Sequence, residues 1–314
     1  MNSDTAFERP DIVRPPSEWD SYYLPLTRGC SNNTCTFCMW HGSRLQVREL
    51  SEVKAEIDSL AVFTRHGVRS SGLSGIAASV ARQWDGRKLF LQDGDAMAYP
   101  YRKLIEAIDY LNLKLPGIER IATYATPQDL LRRSVDELRQ LKDRKIGIIY
   151  MGIESGDDEV LKSVCKGVTH QQIVEAGRKV KESGIALSVT VILGLGGVAG
   201  SDRHARESAR ILTEIDPDFA GALTLILVPG TPIYKRAESG DFELITPLRS
   251  LEELRIMVAE STFTDCFFSS MHASNYFSIR GRLPGDKARM LGELDRICAS
   301  NDPALLRPEF LRAL

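Results

Sequence analysis

Short apolar runs alternate with amphipathic stretches along most of the chain. Six nearly continuous apolar runs predict strands, at residues 22–27, 88–92, 119–124, 146–151, 186–193 and 220–228. Apolar residues at helical spacing predict five helices between them, at residues 50–64, 99–113, 134–143, 169–183 and 203–215. Strands that lack polar alternation are typical of parallel sheets covered on both faces.

Repeated strand–helix units favour an α/β fold with right-handed crossovers, here a full or partial (β/α)6 TIM-type barrel. The active site of such a fold lies at the C-terminal ends of the strands. Segment 66–87 predicts a loop with a short helix, and helices near 250–260 and 284–299 flank an irregular stretch at 266–281. We therefore expect a disordered lead-in at 1–18, the barrel core at 19–234 and a helical C-terminal extension covering the barrel at 235–314.

Composition narrows the functional class. The 314 residues suit one large domain, and a net charge of −2 lacks the basic footprint typical of nucleic-acid binding. The polar N-terminus has no apolar core of signal-peptide length, and no apolar run approaches a membrane span. We expect a cytoplasmic protein with no membrane partner, whose six cysteines do not form a disulfide framework.

The strongest chemical signal is the segment TRGCSNNTCTFC, which carries Cys30, Cys35 and Cys38 directly after the first predicted strand. Thiolates spaced C-x4-C-x2-C converge on one metal site, and a [4Fe–4S] cluster normally takes four thiolates. No fourth cysteine lies nearby, since Cys165, Cys266 and Cys298 are scattered. One iron would therefore accept another ligand, as catalytic metal sites require.

Two other interpretations of these cysteines stay open. His41 follows Cys38 at a distance that suits a Cys3His zinc site, so the chain could be a zinc-stabilised binding module. Structural zinc knots usually lie in small domains that need the metal to fold, which disfavours this interpretation. The other interpretation is a non-catalytic iron–sulfur protein that transfers electrons or senses.

The cysteine segment resembles the signature of the radical S-adenosylmethionine superfamily. That signature is C-x3-C-x2-C after the first strand, with an aromatic residue before the third cysteine. Phe37 holds the aromatic position, and one extra residue separates Cys30 from Cys35. The resemblance implies that the three thiolates hold a [4Fe–4S] cluster whose open iron binds S-adenosylmethionine, with Phe37 against the adenine.

Later strand ends extend the resemblance to the branch that includes methylthiotransferases and oxygen-independent coproporphyrinogen oxidases. It implies cofactor contacts at Asp93, Gly94 and Asp95 in LQDGD, Glu154 and Ser155 in YMGIESGDDEVLK, Thr190, Ile192 and Gly194 in SVTVILGLGG, and Val228 in LVPGTPIY. The sequence departs from the family at DGD, where Gly-Gly-Glu is usual, and at Thr190, where glycine is usual. Asp157 and Asp158 are instead expected at a helix N-terminus.

A basic residue before the fifth strand would bind the methionyl carboxylate in this family. Arg178 and Lys181 lie in that region, with Lys181 the better positional match. Both also fit an ordinary solvated helix face, and that alternative stays open.

The resemblance implies a mechanism but not a substrate. An electron from a flavodoxin- or ferredoxin-type donor would cleave the cofactor, and the resulting 5′-deoxyadenosyl radical would take hydrogen from the substrate. On the substrate side we expect Tyr124, and His272, Asn275 and Tyr276 of SSMHASNY. The alternative for SSMHASNY is a hydrogen-bonded loop that plugs the barrel. A small molecule or short peptide is the expected substrate, with tRNA modification as an alternative.

Overall fold

The computed structural model describes residues 7–300 and 302–313. The strands are β1 (Tyr22–Pro25), β2 (Thr27–Arg28), β3 (Gln46–Val47), β4 (Lys88–Gln92), β5 (Arg120–Ala125), β6 (Ile146–Glu154), β7 (Ala186–Leu193), β8 (Phe219–Thr224), β9 (Cys266–Ser269) and β10 (Arg280–Leu283). The helices are α1 (Leu50–His66), α2 (Gly75–Gln83), α3 (Tyr101–Lys114), α4 (Pro127–Leu131), α5 (Val135–Asp143), α6 (Asp158–Ser163), α7 (His170–Glu182), α8 (Gly197–Ile215), α9 (Pro232–Ser239), α10 (Pro247–Glu260) and α11 (Lys287–Ser300). In this described part of the chain, no helix is both long and apolar enough to span a membrane.

The chain divides into two compact units. The first comprises Met1–Asn33, Gly42–Tyr150 and Glu182–Ile185. In it β1 and β5 each pair in parallel with β4, and the apolar residues of β1 and β4 are almost fully buried. The short strands β2 and β3 form a separate antiparallel pair. Burial on both faces explains why β1 and β4 are continuous apolar runs in the sequence.

Residues near the start of the described chain pack on this first unit through ion pairs. Arg9 lies 2.7 Å from the buried Glu56, and Arg120 lies 2.6 Å from the buried Glu18. Tyr150 also donates a hydrogen bond to Glu18. Residues 1–6 of the predicted lead-in lie outside the described residues, and the predicted domain boundaries stay predictions.

The second unit comprises Thr34–His41, Met151–Lys181 and Ala186–Leu314. In it β7 pairs in parallel with β8 and β8 with β9, while β10 runs antiparallel to β9. Side chains along β7 alternate between half-buried and buried positions. Helix α10 packs against both α8 and β7. One face of β7 is therefore buried beneath helices, and the other is more open.

The predicted α/β class with parallel strands is confirmed. The bounds of β4 and β7 match the prediction, and the segment 66–87 contains α2, whose first turn is capped by the Ser74 hydroxyl. The prediction of an irregular stretch at 266–281 was wrong, because β9 and the start of β10 lie there. Only four residues long, β9 gives too short a pattern to separate a strand from a loop.

Candidate active site

The turn before Cys30 is held by Asp93. Gly29 has a left-handed φ of +83°, and its N–H donates to the Asp93 carboxylate at 3.0 Å. A Cβ at Gly29 would lie 3.2 Å from the Arg44 carbonyl oxygen, so the turn favours glycine. Burial raises the pKa of Asp93. The DGD segment predicted from the sequence therefore supports the start of the cysteine loop.

Asp95 lies in a cluster of buried polar groups next to Cys30. The Ser31 hydroxyl lies 2.5 Å from both Asp95 Oδ2 and Asp129 Oδ2, and Thr126 lies within hydrogen-bond distance of the same two oxygens. Burial and the adjacent Asp129 raise the pKa of Asp95 well above its ordinary value. No pattern in the sequence indicates Asp129, because its role depends on a contact between distant segments.

Two carboxylate oxygens of the DGD segment remain unsatisfied. Asp93 Oδ1 and Asp95 Oδ1 are buried and, among the described residues, make no hydrogen bond. A buried acceptor without a donor is costly. An ammonium group supplies three donors and a positive charge, so these oxygens fit the amino group of an amino-acid moiety. Gly94 lies between them in the chain, and its backbone interacts with the Asp93 carboxylate.

Cys35 and Cys38 lie on a tight turn in the second unit. The Cys38 N–H donates to the Cys35 carbonyl at 3.2 Å, and the His41 N–H donates to the Cys38 carbonyl at 3.0 Å. His41 Nδ1 lies 3.2 Å from the Cys35 carbonyl oxygen. The turn exposes Cys38 more than Cys35, whose side chain is buried.

Phe37 is fixed between the two cysteines by its apolar neighbours. Its ring is partly buried and packs against a cluster that includes Val160, Val164 and Ile233. The adjacent Thr36 accepts a backbone hydrogen bond from Ile233 and donates one to Val164. Part of the Phe37 ring therefore packs against the hydrophobic core, and the exposed part remains available to a ligand.

A buried ion pair lies beside Cys35. Glu154, at the end of β6 with a left-handed φ of +62°, accepts a hydrogen bond from Lys166 at 2.8 Å. The side chains are only 12% and 7% exposed. Burial raises the pKa of Cys35 to about 11, and the Lys166 charge opposes that rise. Lys166 was missed in the sequence because only the fold returns it to the cysteine loop.

Ser155 is fully buried, and its hydroxyl is hydrogen-bonded within the second unit. Its hydroxyl lies 2.8 Å from His204 Nδ1 and accepts a hydrogen bond from the Asp157 N–H. His204 is fully buried, and its Nε2 lies 3.0 Å from the Ile192 carbonyl oxygen. The Asp157 side chain caps α6, as the sequence predicted. Ser155 thus connects β6 to α8.

The predicted residues at the end of β7 contact a second buried carboxylate, that of Glu253. The Gly194 N–H donates to Glu253 of α10 at 2.7 Å, and Gly194 has a φ of +81°. Thr190 and Ile192 are half-buried residues on the more open face of β7. The Val228 carbonyl accepts a hydrogen bond from the Thr231 hydroxyl at 2.7 Å. No pattern in the sequence indicates Glu253.

The structure does not bring Arg178 and Lys181 to these strand ends. Lys181 forms an ion pair with Asp218 at 2.7 Å, and Asp218 also accepts a hydrogen bond from the N–H of Leu187, near the start of β7. Arg178 donates to the Glu214 carbonyl on α8. Both cations therefore lie at the amino end of β7, whereas Gly194 follows its carboxyl end.

Tyr124 lies within an aromatic cluster of the first unit. Its ring centroid is 5.0 Å from that of Phe90 and 6.1 Å from that of Tyr150, both in edge-on arrangements. Burial raises the pKa of Tyr124 above its ordinary range, so its hydroxyl stays protonated.

The segment SSMHASNY is extensively hydrogen-bonded to the protein. The Asn275 amide donates to the carbonyls of Ala222 and Ser270 and accepts from the Thr224 hydroxyl at 2.7 Å. Tyr276 binds Glu309 and Arg312 through its hydroxyl. His272 Nδ1 lies 2.9 Å from the Ser274 hydroxyl and the ring is only half-buried. These contacts favour the loop interpretation for Asn275 and Tyr276.

Comparison with known proteins then assigns the family. A family model described as the Radical SAM superfamily matches residues 24–209, which is more than half of the chain. The chain belongs to the radical SAM superfamily. The superfamily uses a [4Fe–4S] cluster and S-adenosylmethionine, so the cofactors expected from the resemblance are confirmed.

Curated relatives and solved structures are similar to this radical SAM chain. The tRNA-2-methylthio-N(6)-dimethylallyladenosine synthase of Thiobacillus denitrificans is 26% identical over 239 residues, covering 74% of this chain and 49% of the relative. The enzyme of the same name from Bordetella avium is 25% identical over 257 residues, covering 78% and 49%. The chain thus spans about half the length of these relatives.

Two solved structures share the fold. Methylornithine synthase has a TM-score of 0.50 at 17% identity, covering 77% of this chain and 63% of that one. Coproporphyrinogen III oxidase from Escherichia coli has a TM-score of 0.51 at 16% identity, covering 76% and 51%. At this identity the likeness establishes the fold alone, and it agrees with the α/β class predicted from the sequence.

The residues present fit the cofactors of the superfamily in their chemistry. All six cysteines are thiols, and three thiolates are the donors expected of a cluster with one open iron. Among the described residues, no group of three His, Cys, Asp or Glu side chains is arranged to hold a metal ion. The fit to the cluster therefore rests on the chemistry of the three thiols. In the first unit, the unsatisfied oxygens of Asp93 and Asp95 suit an ammonium group. In the second unit, the buried Lys166 cation suits a carboxylate.

Proposed function

We propose that this chain is a radical enzyme in which Cys30, Cys35 and Cys38 hold a [4Fe–4S] cluster that cleaves S-adenosylmethionine. The observation that carries the proposal is the C-x4-C-x2-C thiol set inside the segment matched by the superfamily. When bound and reduced, the cluster supplies the electron that yields methionine and a 5′-deoxyadenosyl radical, which takes hydrogen from the substrate. The electron donor is a flavodoxin or a ferredoxin.

The chain's own residues bind and orient the methionyl part of the cofactor. Asp93 and Asp95 accept hydrogen bonds from its amino group through the buried oxygens that lack donors. Lys166, rather than Arg178 or Lys181, binds its carboxylate, since Lys166 is the buried cation beside Cys35. A charge placed in a water-poor site orients an ionic ligand strongly.

The adenosyl part is held by apolar and backbone groups. Phe37 and Ile192 offer partly buried apolar surface where both pack against the same hydrophobic cluster. The backbone near Val228 presents a polar edge to the adenine, and the turn at Gly194 shapes the adjacent strand end. Glu154, fixed by Lys166, contacts the polar groups of the sugar.

For the substrate we propose a small molecule or a short peptide, with Tyr124 and His272 on the substrate side. The half-buried His272 ring keeps one nitrogen, Nε2, beyond its contact with Ser274. A tRNA substrate is the second candidate, and the names of the curated relatives favour it, against our expectation from net charge. The chain covers only about half of those relatives, so their substrate does not transfer automatically.

Cysteine variants test the cluster assignment. We expect Cys30→Ser, Cys35→Ser and Cys38→Ser each to lose most reconstituted iron and all production of 5′-deoxyadenosine, whereas Cys298→Ser keeps both. A His41→Ala variant should retain the cluster. Loss of a bound zinc in the His41→Ala variant, with no iron in the wild type, would support the zinc-stabilised module instead.

Stimulation of 5′-deoxyadenosine release separates the two substrate classes. Bulk tRNA and pools of small metabolites or short peptides are added separately to the reduced enzyme. Release stimulated by tRNA alone contradicts the small-substrate proposal. Deuterium transfer from a labelled substrate into 5′-deoxyadenosine then identifies the carbon that loses hydrogen.

A further inference from the structure

Glu253 is a fully buried carboxylate in the middle of α10, remote in sequence from every predicted site residue. Its Oε2 accepts the Gly194 N–H at 2.7 Å and its Oε1 accepts the Ser201 hydroxyl at 2.5 Å. A buried carboxylate costs folding free energy, while an apolar side chain would pack at this helix position without that cost. The hydrogen bonds that Glu253 accepts from Gly194 and Ser201 offset this desolvation cost.

What Glu253 holds is the turn at the end of β7. Gly194 has a φ of +81°, and a Cβ there would lie 3.1 Å from Ile245, so the backbone is fixed in a shape that only glycine adopts easily. The Gly194 carbonyl then accepts a hydrogen bond from the Gly197 N–H at the start of α8. The Glu253 carboxylate thus accepts the Gly194 N–H, and this hydrogen bond holds the turn.

The same network reaches a second strand end. His204 Nε2 lies 3.9 Å from Glu253 Oε2 and 3.0 Å from the Ile192 carbonyl, and His204 Nδ1 lies 2.8 Å from Ser155. The Glu253 network therefore connects the ends of β6 and β7 within the second unit. Both ends carry segments that the proposed function assigns to cofactor binding.

We propose that Glu253 is a positioning residue that sets the Gly194 turn for the adenosyl part of S-adenosylmethionine. This inference rests on the proposed function. It assigns Glu253 a geometric task, in which the acceptor must reach the Gly194 N–H. Burial raises the pKa of Glu253 to about 7, so the neutral carboxyl and the carboxylate are both populated near neutral pH.

The variants separate geometry from charge. In Glu253→Gln the side-chain carbonyl still reaches the Gly194 N–H, and its amide donates to the Ser201 hydroxyl oxygen. Glu253→Asp keeps the charge but is one methylene shorter, so the acceptor withdraws from Gly194. Glu260→Gln is the matched control, since Glu260 lies on the same helix and pairs with the exposed Arg206.

The measurement is the Kd of S-adenosylmethionine for the reconstituted, oxidised full chain, by equilibrium dialysis, beside thermal unfolding and hydrogen exchange of the Gly194 amide. We expect the Kd of Glu253→Gln and of the Glu260→Gln control to lie within about threefold of wild type, and Glu253→Asp to bind about tenfold more weakly with faster Gly194 exchange. Equal Kd for Asp and wild type, even with a lower Tm, overturns the inference, as does equal weakening by Gln and Asp. A wild-type protein that binds no S-adenosylmethionine refutes the proposed function itself.

Discussion

Lys166 Nζ lies 2.8 Å from Glu154 Oε1, and both side chains are almost fully removed from solvent. Glu154 reaches this position with a left-handed backbone, and Gly152 leaves the room for its side chain. A buried pair of this kind contributes little net stability, but either partner alone is costly. The pair fixes one cation beside Cys35, where we propose the methionyl carboxylate binds.

Replacing Lys166 with Met leaves Glu154 buried without its cation. We expect the free energy of unfolding to fall by about 3 kcal/mol, measured by chemical denaturation of the full chain. Adding Glu154→Gln to this variant should recover most of the loss, because the uncompensated charge is gone. Full stability of Lys166→Met would show that water or another group already neutralises Glu154.

Gly152→Ala tests the space beside this pair. A Cβ at Gly152 would lie 2.1 Å from Glu154 Oε1, so the Glu154 side chain must move away from Lys166. We expect a loss of about 2 kcal/mol in stability and weaker binding of S-adenosylmethionine.

Gly200→Ala is the control for Gly152→Ala, since a Cβ at this position on α8 meets nothing within 4 Å. It should be neutral or slightly stabilising, because alanine favours the helix. A Gly152→Ala protein as stable as Gly200→Ala contradicts the packing described for Glu154.

The local sequence pattern predicted the helices and strands. Contacts between distant segments determine which residues form the candidate site. Strand β4 is visible as an apolar run because it is buried on both faces, whereas β7 alternates between buried and half-buried side chains. Ser155 was predicted as a cofactor residue from its motif, and that prediction stays a prediction, but its contact with His204 on α8 was not visible in the sequence. Lys166 and Glu253 reach the candidate site only because the fold brings distant segments together, so no spacing of residues along the sequence predicts them.

The buried His204 makes the free energy of unfolding depend on pH in the acid range. Burial lowers the pKa of His204 to about 4, while the unfolded chain binds the proton near pH 6.5. Between these values the unfolded state holds more protons, so stability is full above pH 6.5 and falls as pH drops toward 4. The loss from this group is about 3 kcal/mol.

Glu253 has the opposite dependence, because its raised pKa contributes stability that is lost as pH rises through about 7. The measurement therefore compares Glu253→Gln with the double variant Glu253→Gln/His204→Asn, by denaturation at several pH values. We expect the difference between them to shrink from pH 7 to pH 4. A difference that does not change with pH contradicts a buried neutral His204.

Asn275 and His272 should separate structure from chemistry in the C-terminal segment. Asn275→Ala removes three buried hydrogen bonds and should lower the free energy of unfolding by about 2 kcal/mol. His272→Ala should cost little stability, because the ring is half-buried, but should abolish product formation with the true substrate. Full product formation by His272→Ala would remove His272 from the mechanism.

Cleavage of S-adenosylmethionine by the anaerobically reconstituted chain tests the central claim most directly. With dithionite as reductant, we predict a brown protein with about four irons per chain that converts S-adenosylmethionine to methionine and 5′-deoxyadenosine. A colourless protein with one bound zinc, or an iron–sulfur protein that leaves S-adenosylmethionine intact, would contradict it.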